Sequence, residues 1–157
     1  RSGNAALEET VAALEILYGV KTGINLQKLR SLSKLVETTS QVKMPPQKPI
    51  VGDNLFTTES GIIAGLWDRA KDVNPLEVFP FKPKFLGFDK VNIVLGKGSG
   101  RPSLIYWLRE LGIEISSKEK LDQILMEVKM KSEENKRLLT EEEFLSIVKA
   151  KLEERKC

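Results

Sequence analysis

Apolar residues recur at helical spacing along much of the chain. In "AALEETVAALEILY" (5–18), Leu7, Val11, Leu14 and Tyr18 stand three or four apart, which lines one face of a helix. Glu8 and Glu9 occupy its first turn, where the helix dipole favours acids. The glycines of "GVKTGIN" (19–25) end it. A second helix follows, with Leu26, Leu29, Leu32, Leu35 and Val36 on one face and Asn25 as its N-cap.

The pattern then breaks twice. "QVKMPPQKPIVGDN" (41–54) holds three prolines and predicts an irregular crossing segment. "TTESGIIAGLWDRAKD" (57–72) predicts a capped start and a short helix carrying Ile62, Ile63, Leu66 and Trp67. "NPLEVFPFKPKFLG" (74–87) is broken by proline again, with Phe79, Phe81 and Phe85 expected to pin it to a core. A short strand is expected over 91–95.

Three helices finish the chain. Pro102 suits a first turn, Leu104, Ile105, Leu108 and Leu111 form the apolar face, and Gly112 stops the helix. Ser116 with Glu119 makes a capping-box pattern before Leu121, Ile124, Leu125 and Val128. Thr140 with Glu143 makes another before Phe144, Ile147, Val148 and Leu152. The periodicity thus predicts a mainly α protein of about six helices with very little sheet.

Composition narrows the chemistry. The chain has 157 residues, enough for one ordinary domain or two small ones, and 41% apolar with 30% charged residues is ordinary for a globular protein. Lys and Arg exceed Asp and Glu by 25 to 22, with signs interspersed, so no nucleic-acid partner is expected. No apolar stretch reaches the length of a membrane span, and no membrane partner is expected. The sole cysteine, Cys157, cannot form an internal disulfide, which fits a reducing compartment. There is no histidine. Ser-His-Asp and Cys-His catalysis within this chain, and histidine-based zinc sites, are therefore excluded.

"NIVLGKGSGRPSLIYW" (92–107) runs from an apolar stretch through glycines to a helix, the order of a phosphate-cradling loop. Its spacing fits neither nucleotide fingerprint. A Walker loop ends in Gly-Lys-Ser/Thr, whereas Lys97 here precedes Gly98 and Gly100. The dinucleotide form needs a third glycine where Arg101 stands, and the chain lacks the repeated strand–helix alternation of a parallel sheet. A tight turn that launches a helix is the expected reading, with Lys97 and Arg101 near the helix start as the residues open to an anionic contact.

Three stretches carry a family resemblance: "RSGNAALEE" (1–9), "KPIVGDNLFTTESGI" (48–62) and "IVLGKGSGR" (93–101). In letters, order and spacing the chain resembles the isopropylmalate, homocitrate and citramalate synthases, acyl-CoA-dependent Claisen-condensing enzymes related to hydroxymethylglutaryl-CoA lyase. The resemblance implies a parent enzyme built on a TIM barrel. Residues 1–20 would be the end of the last barrel strand and the last barrel helix, 21–87 a helical linker subdomain, and 88–157 a second, small α/β-helical subdomain. The resemblance would place the chain in a layout without a feedback domain, more like the homocitrate synthases than the full-length isopropylmalate synthases.

The implied reaction condenses an acyl-CoA with a 2-oxo acid and hydrolyses the thioester, with a divalent metal (Mg²⁺, Mn²⁺ or Zn²⁺) as cofactor. The implied metal ligands precede residue 1, except that Asn4 matches the asparagine that ligates metal in the lyase branch; an N-cap to the first helix is its other reading. Glu59 and Ser60 are the implied substrate-binding residues, with helix capping as the alternative. The family's H-E-S-G-I-H reads Thr58-Glu59-Ser60-Gly61-Ile62-Ile63 here, so Thr58 and Ile63 replace both histidines. Gly98 replaces a third, and Leu76 stands near an expected tyrosine. Losing one positioned general base costs about 10²–10⁴-fold in rate, so the catalytic residues of this chain stay unassigned. The resemblance further implies a homodimer formed through the helical subdomains, a cytoplasmic location with an organelle matrix as alternative, and no activity for this chain alone. A lyase or aldolase parent, or a non-catalytic subunit-pairing module, are the competing readings.

Overall fold

A computed structural model describes residues 3–153. The fold is mainly α, as expected: six α-helices and one pair of two-residue strands among the described residues. The helices are α1 (Leu7–Ala12), α2 (Leu29–Ser40), α3 (Gly61–Ala70), α4 (Arg101–Glu110), α5 (Lys118–Asn135) and α6 (Glu141–Glu153); the strands are β1 (Thr57–Thr58) and β2 (Asn92–Ile93). The chain divides into two compact units that interleave in sequence. Unit 1 takes the chain up to Thr57 together with Phe79–Val91; unit 2 takes Thr58–Val78 and the chain from Asn92 onward.

In unit 1 the first helix is shorter than its periodicity predicts. After Ala12 it widens into a π-helical segment, Ala13–Leu17, where the Tyr18 amide donates to the Ala13 carbonyl at 3.3 Å. The turn that follows is closed from the side: Thr22 donates both its backbone N–H and its hydroxyl to the Glu15 carboxylate. Asn25 caps the next element as expected, accepting from the Gln27 amide at 2.9 Å, and a 3₁₀ turn leads into α2. The core comprises Val11, Leu26, Leu29, Val51, Phe56, Leu86 and Phe88. Phe56 meets Phe79 and Phe88 edge-to-face at 5.6 and 5.0 Å, and the Arg30 guanidinium lies 4.4 Å over Phe88. Phe79 thus pins the start of the Phe79–Val91 stretch to this core as predicted, whereas Phe85 is 44% exposed because the 3₁₀ turn Pro83–Leu86 buries Leu86 instead.

The proline-rich crossing in unit 1 is a chain of tight turns. Gly52 N–H donates to the Lys48 carbonyl (2.9 Å) and Asn54 N–H to that of Pro46 (2.9 Å). A Cβ at Gly52 would stand 2.5 Å from both carbonyl oxygens. Ile50 sits at φ +68°, which a β-branched side chain rarely adopts. Its burial and the flanking turns hold it there. Lys48 Nζ lies 2.6 Å from Glu8 Oε1, an ion pair that ties the crossing to α1 and sets a positive charge beside a buried carboxylate.

Unit 2 is built on α4, α5 and α6. Leu104, Leu108, Ile124, Val128, Phe144 and Val148 are buried together. Trp107 packs edge-to-face on Phe144 at 5.6 Å and donates Nε1–H to the Ile93 carbonyl at 2.7 Å. Both predicted helix signals on α4 are present. Pro102 lies in the first turn, and Gly112 at φ +67° closes the end: its N–H donates to Arg109 and that of Ile113 to Leu108 (2.8 Å). The Thr140–Glu143 capping box opens α6 in both directions, Thr140 N–H to Glu143 at 2.9 Å and Glu143 N–H to Thr140 Oγ1 at 3.3 Å. The α5 cap is one residue later than predicted: Ser117, not Ser116, accepts from Lys120 N–H.

The expected strand over 91–95 is extended but divides its pairing. Val94 N–H donates to the Thr58 carbonyl (2.9 Å), while the Leu95 carbonyl accepts from Leu139 N–H (2.9 Å). Regular strand is therefore confined to Asn92–Ile93.

Candidate functional site

In unit 2 the stretch Thr58–Ile63 lies against residues 94–103, the glycine turn and the start of α4, and four ties hold them together. The first is the Thr58–Val94 backbone bond. In the second, Gly98 N–H donates to Glu59 Oε1 at 2.6 Å. Ser103, fully buried at the start of α4, directs its hydroxyl at the Glu59 carbonyl (3.4 Å). The fourth is a backbone contact in which a Cβ on Gly61 would stand 2.5 Å from Gly100 Cα. Only glycine at 61 allows that approach. Gly65 extends the contact along α3, where a Cβ would stand 3.2 Å from Pro102 Cβ.

Three amides of the turn have partners within the protein. Gly96 N–H donates to Ser99 Oγ (2.9 Å), Ser99 N–H to the Gly96 carbonyl (3.1 Å), and Gly98 N–H to Glu59. These three amides do not converge on a phosphate, and the turn leads directly into α4, as its spacing predicts. Arg101 is engaged as well: its Nε and NH2 donate side by side to the two Asp122 oxygens at 2.5 and 2.6 Å. That pairing holds the Asp122 carboxyl below its ordinary range.

The glycines at 96 and 98 give Glu59 its room. A Cβ at Gly96 would collide with the Glu59 carboxylate, and one at Gly98 would stand 3.3 Å from it. Gly98 thus lies beneath a carboxylate laid over the turn. The capping reading of Glu59 and Ser60 is corrected here. Glu59 reaches across to the turn rather than to α3, and Ser60, although in the N-cap position of α3, makes no side-chain cap bond.

The remaining sequence candidates fall as follows. Thr58 is half-buried at the end of β1, Ile63 is half-buried on α3, and Ile62 beside it is 76% exposed. Leu76 is exposed in the 3₁₀ turn Pro75–Glu77. Asn4 belongs to unit 1 and is exposed ahead of α1. It does not cap that helix, whose N-cap is Ala6. Among the described residues no three His, Cys, Asp or Glu side chains cluster so as to hold a metal ion. One exposed amide oxygen from Asn4 does not make a metal centre, so the donors present do not fit one. Sequence reasoning missed the Gly61–Gly100 contact and the Glu59–Gly98 bond. The signal available was that both glycine-bearing stretches matched the same family.

No protein-family model matches the chain. Individual relatives do, and three from one organism are instructive. The chain is 44% identical over 155 residues (99% of its length) to the homocitrate synthase AksA of Methanocaldococcus jannaschii. It is 44% identical over 130 residues (82%) to the (R)-citramalate synthase CimA of that organism, and 42% identical over 142 residues (88%) to its 2-isopropylmalate synthase. These matches cover 36%, 25% and 26% of the relatives' own lengths, so the chain spans between a quarter and about a third of the curated relatives it matches. On this evidence the chain belongs to the family of citramalate, homocitrate and isopropylmalate synthases and corresponds to a C-terminal part of them.

Proposed function

We propose that the parent protein is an acyltransferase that condenses an acyl-CoA with a 2-oxo acid, and that this chain supplies its helical C-terminal portion. The observation that supports this most directly is the joint in unit 2. Two of the stretches that carry the family likeness, 58–62 and 93–101, meet in space through Glu59, Gly61, Gly98 and Gly100. In the proposed reaction a base removes a proton from the carbon beside the thioester carbonyl. The enolate attacks the ketone of the 2-oxo acid, forming the new C–C bond, and water then cleaves the thioester to release CoA. The residues around the turn would face substrate from the cover of the active site. Residues up to 20 would complete a barrel supplied by the rest of the parent. The family likeness implies a divalent metal, but no step here is routed through it, because the described residues do not build its site.

Three relatives from one organism, named for three different products, match almost equally well. That supports reading this portion as shared scaffold rather than as the part that chooses the 2-oxo acid. The test is CoA release by the full-length parent with acetyl-CoA and a panel of 2-oxo acids. Thiol release that depends on a 2-oxo acid is expected. No release with any of them would overturn the reading, and C–C cleavage with the thioester left intact would transfer the protein to the lyases.

A contribution to subunit pairing is proposed for α2, whose outer face leaves Leu32, Leu35 and Val36 exposed. Light scattering of the parent should give a dimer, and charged substitution at Leu35 should shift it toward monomer.

A further inference from the structure

We propose that residues 44–54 form a strap kept in a strained turn by one ionic latch, the Lys48–Glu8 pair, and that opening the latch lets the turn relax. The strap lies wholly in unit 1. At its middle, Val51 N–H donates to the Pro49 carbonyl at 2.8 Å across Ile50, whose φ is +68°. A three-residue turn of that hand is the rare, strained form, and a β-branched residue suits it poorly. Such strain persists only where the surroundings impose it.

The two ends of the strap and its middle are fastened to different helices. Both ends are tied to α2: Met44 N–H donates to Glu37 Oε1 at 3.0 Å, and Asp53 accepts from Lys34 at 2.7 Å and from Arg30 at 3.3 Å. The middle is tied to α1. Apart from the burial of Ile50 and Val51, what holds it there is Lys48 Nζ, 2.6 Å from Glu8 Oε1 and 3.9 Å from Glu9. The Glu8 oxygen is buried and accepts no hydrogen bond, so charge secures the latch.

There is space on both sides of the strap. A cavity of about 410 Å³ is lined by Met44, Pro45 and Lys48 together with Glu8. A second, of about 220 Å³, lies between Pro49 and Ile50 and the π-helical segment at Ala13, Ile16 and Leu17. The second cavity gives the Ile50 side chain room to swing as its φ returns to negative values. Lys48 is the member of the pair that solvent reaches, its side chain 30% exposed against 11% for Glu8, so the latch opens from the lysine side. In the open setting α1 is untied while α2 keeps both ends of the strap.

The test is hydrogen exchange of the full-length parent at single-amide resolution, read at Gly52 and Asn54, whose N–H groups donate to carbonyls within the strap. Glu8→Gln should speed exchange at both about tenfold and leave the amides of α2 unchanged. Two changes at Ile50 then separate strain from packing. Ile50→Val keeps a β-branched side chain and the strain with it, so exchange should stay fast when it is added to Glu8→Gln. Ile50→Gly removes the strain, and added to Glu8→Gln it should bring exchange back to within about threefold of the wild type. Lost burial and a freer chain both push glycine toward faster exchange, so the sign of the difference decides.

Exchange in the glycine double variant as fast as in the valine one, or faster, overturns the proposal, as does unchanged exchange in Glu8→Gln. If Glu8→Gln unfolds unit 1, seen as fast exchange at Leu29 and Phe56, Lys48→Gln takes its place in the same comparison, and unfolding there too overturns the latch. CoA release plays no part in this readout, so the result stands apart from the reaction proposed above.

Discussion

At the scale of single residues, Gly61 and Gly100 set how closely the start of α3 approaches the start of α4. An alanine at 61 would gain up to about 1 kcal/mol in helix propensity, but its Cβ would press on Gly100 Cα at 2.5 Å. Overpacking against backbone costs about 1–3 kcal/mol, so Gly61→Ala should lower the stability of unit 2. Gly100→Ala should be milder, since its Cβ would stand 3.1 Å from Gly61 Cα. Denaturant midpoints of the two variants check the order; a stabilised Gly61→Ala would refute the close contact. Trp107 is the other decisive residue of this unit. Trp107→Phe keeps most of the packing on Phe144 but leaves the Ile93 carbonyl without its donor. A loss of about 1–2 kcal/mol is expected in the same assay.

At the scale of elements, α6 shows how a helix start is specified locally. Thr140 and Glu143 cap each other, and Arg137 adds two bonds of 2.8 Å to the Glu143 carboxylate. Arg137 first, and the Thr140 amide second, hold the Glu143 carboxyl down at about 2 against its ordinary 4.5. A carboxyl whose folded pKa is lowered stabilises the fold fully above its unfolded value and loses that contribution as pH falls through the folded one. Unit 2 should therefore weaken between about pH 4.5 and pH 2. Glu143→Gln should remove part of that acid sensitivity, as read from melting temperature against pH. The α5 start is less local: residues 116–119 and 117–120 both suit a cap, and burial of Leu121, Ile124 and Val128 sets the register one residue later. On α2 the apolar stripe was legible, yet only Leu26 and Leu29 are buried at its start, while Leu35 is 63% exposed. Periodicity reports that a face exists, not what covers it.

At the scale of the whole molecule, the interleaving of the two units governs what can be cut. Unit 2 needs Thr58–Val78 as well as the chain from Asn92 onward, because fully buried Ala64 belongs to α3 and fully buried Ser103 and Leu104 belong to α4. A fragment of residues 58–157 should unfold cooperatively. One of residues 92–157 loses α3 and the Glu59 bond to the turn, and should unfold at lower denaturant with a broader transition. Equal midpoints would show that α3 contributes nothing to the unit.

Much of this was already written in the sequence. Spacing alone determined the mainly α class, the α2 face, the stop at Gly112, the cap at Asn25 and the capping box of α6, because each depends on residues within a few positions of one another. Letter patterns determined the family. Other features depend on groups far apart in the chain: the Glu59–Gly98 bond, the Gly61–Gly100 approach, the divided pairing of 91–95, and the assignment of Phe79–Val91 and Thr58–Val78 to different units. Which of several compatible partners a strand end, a carboxylate or an apolar face meets is settled by packing. Only the tertiary structure decided that.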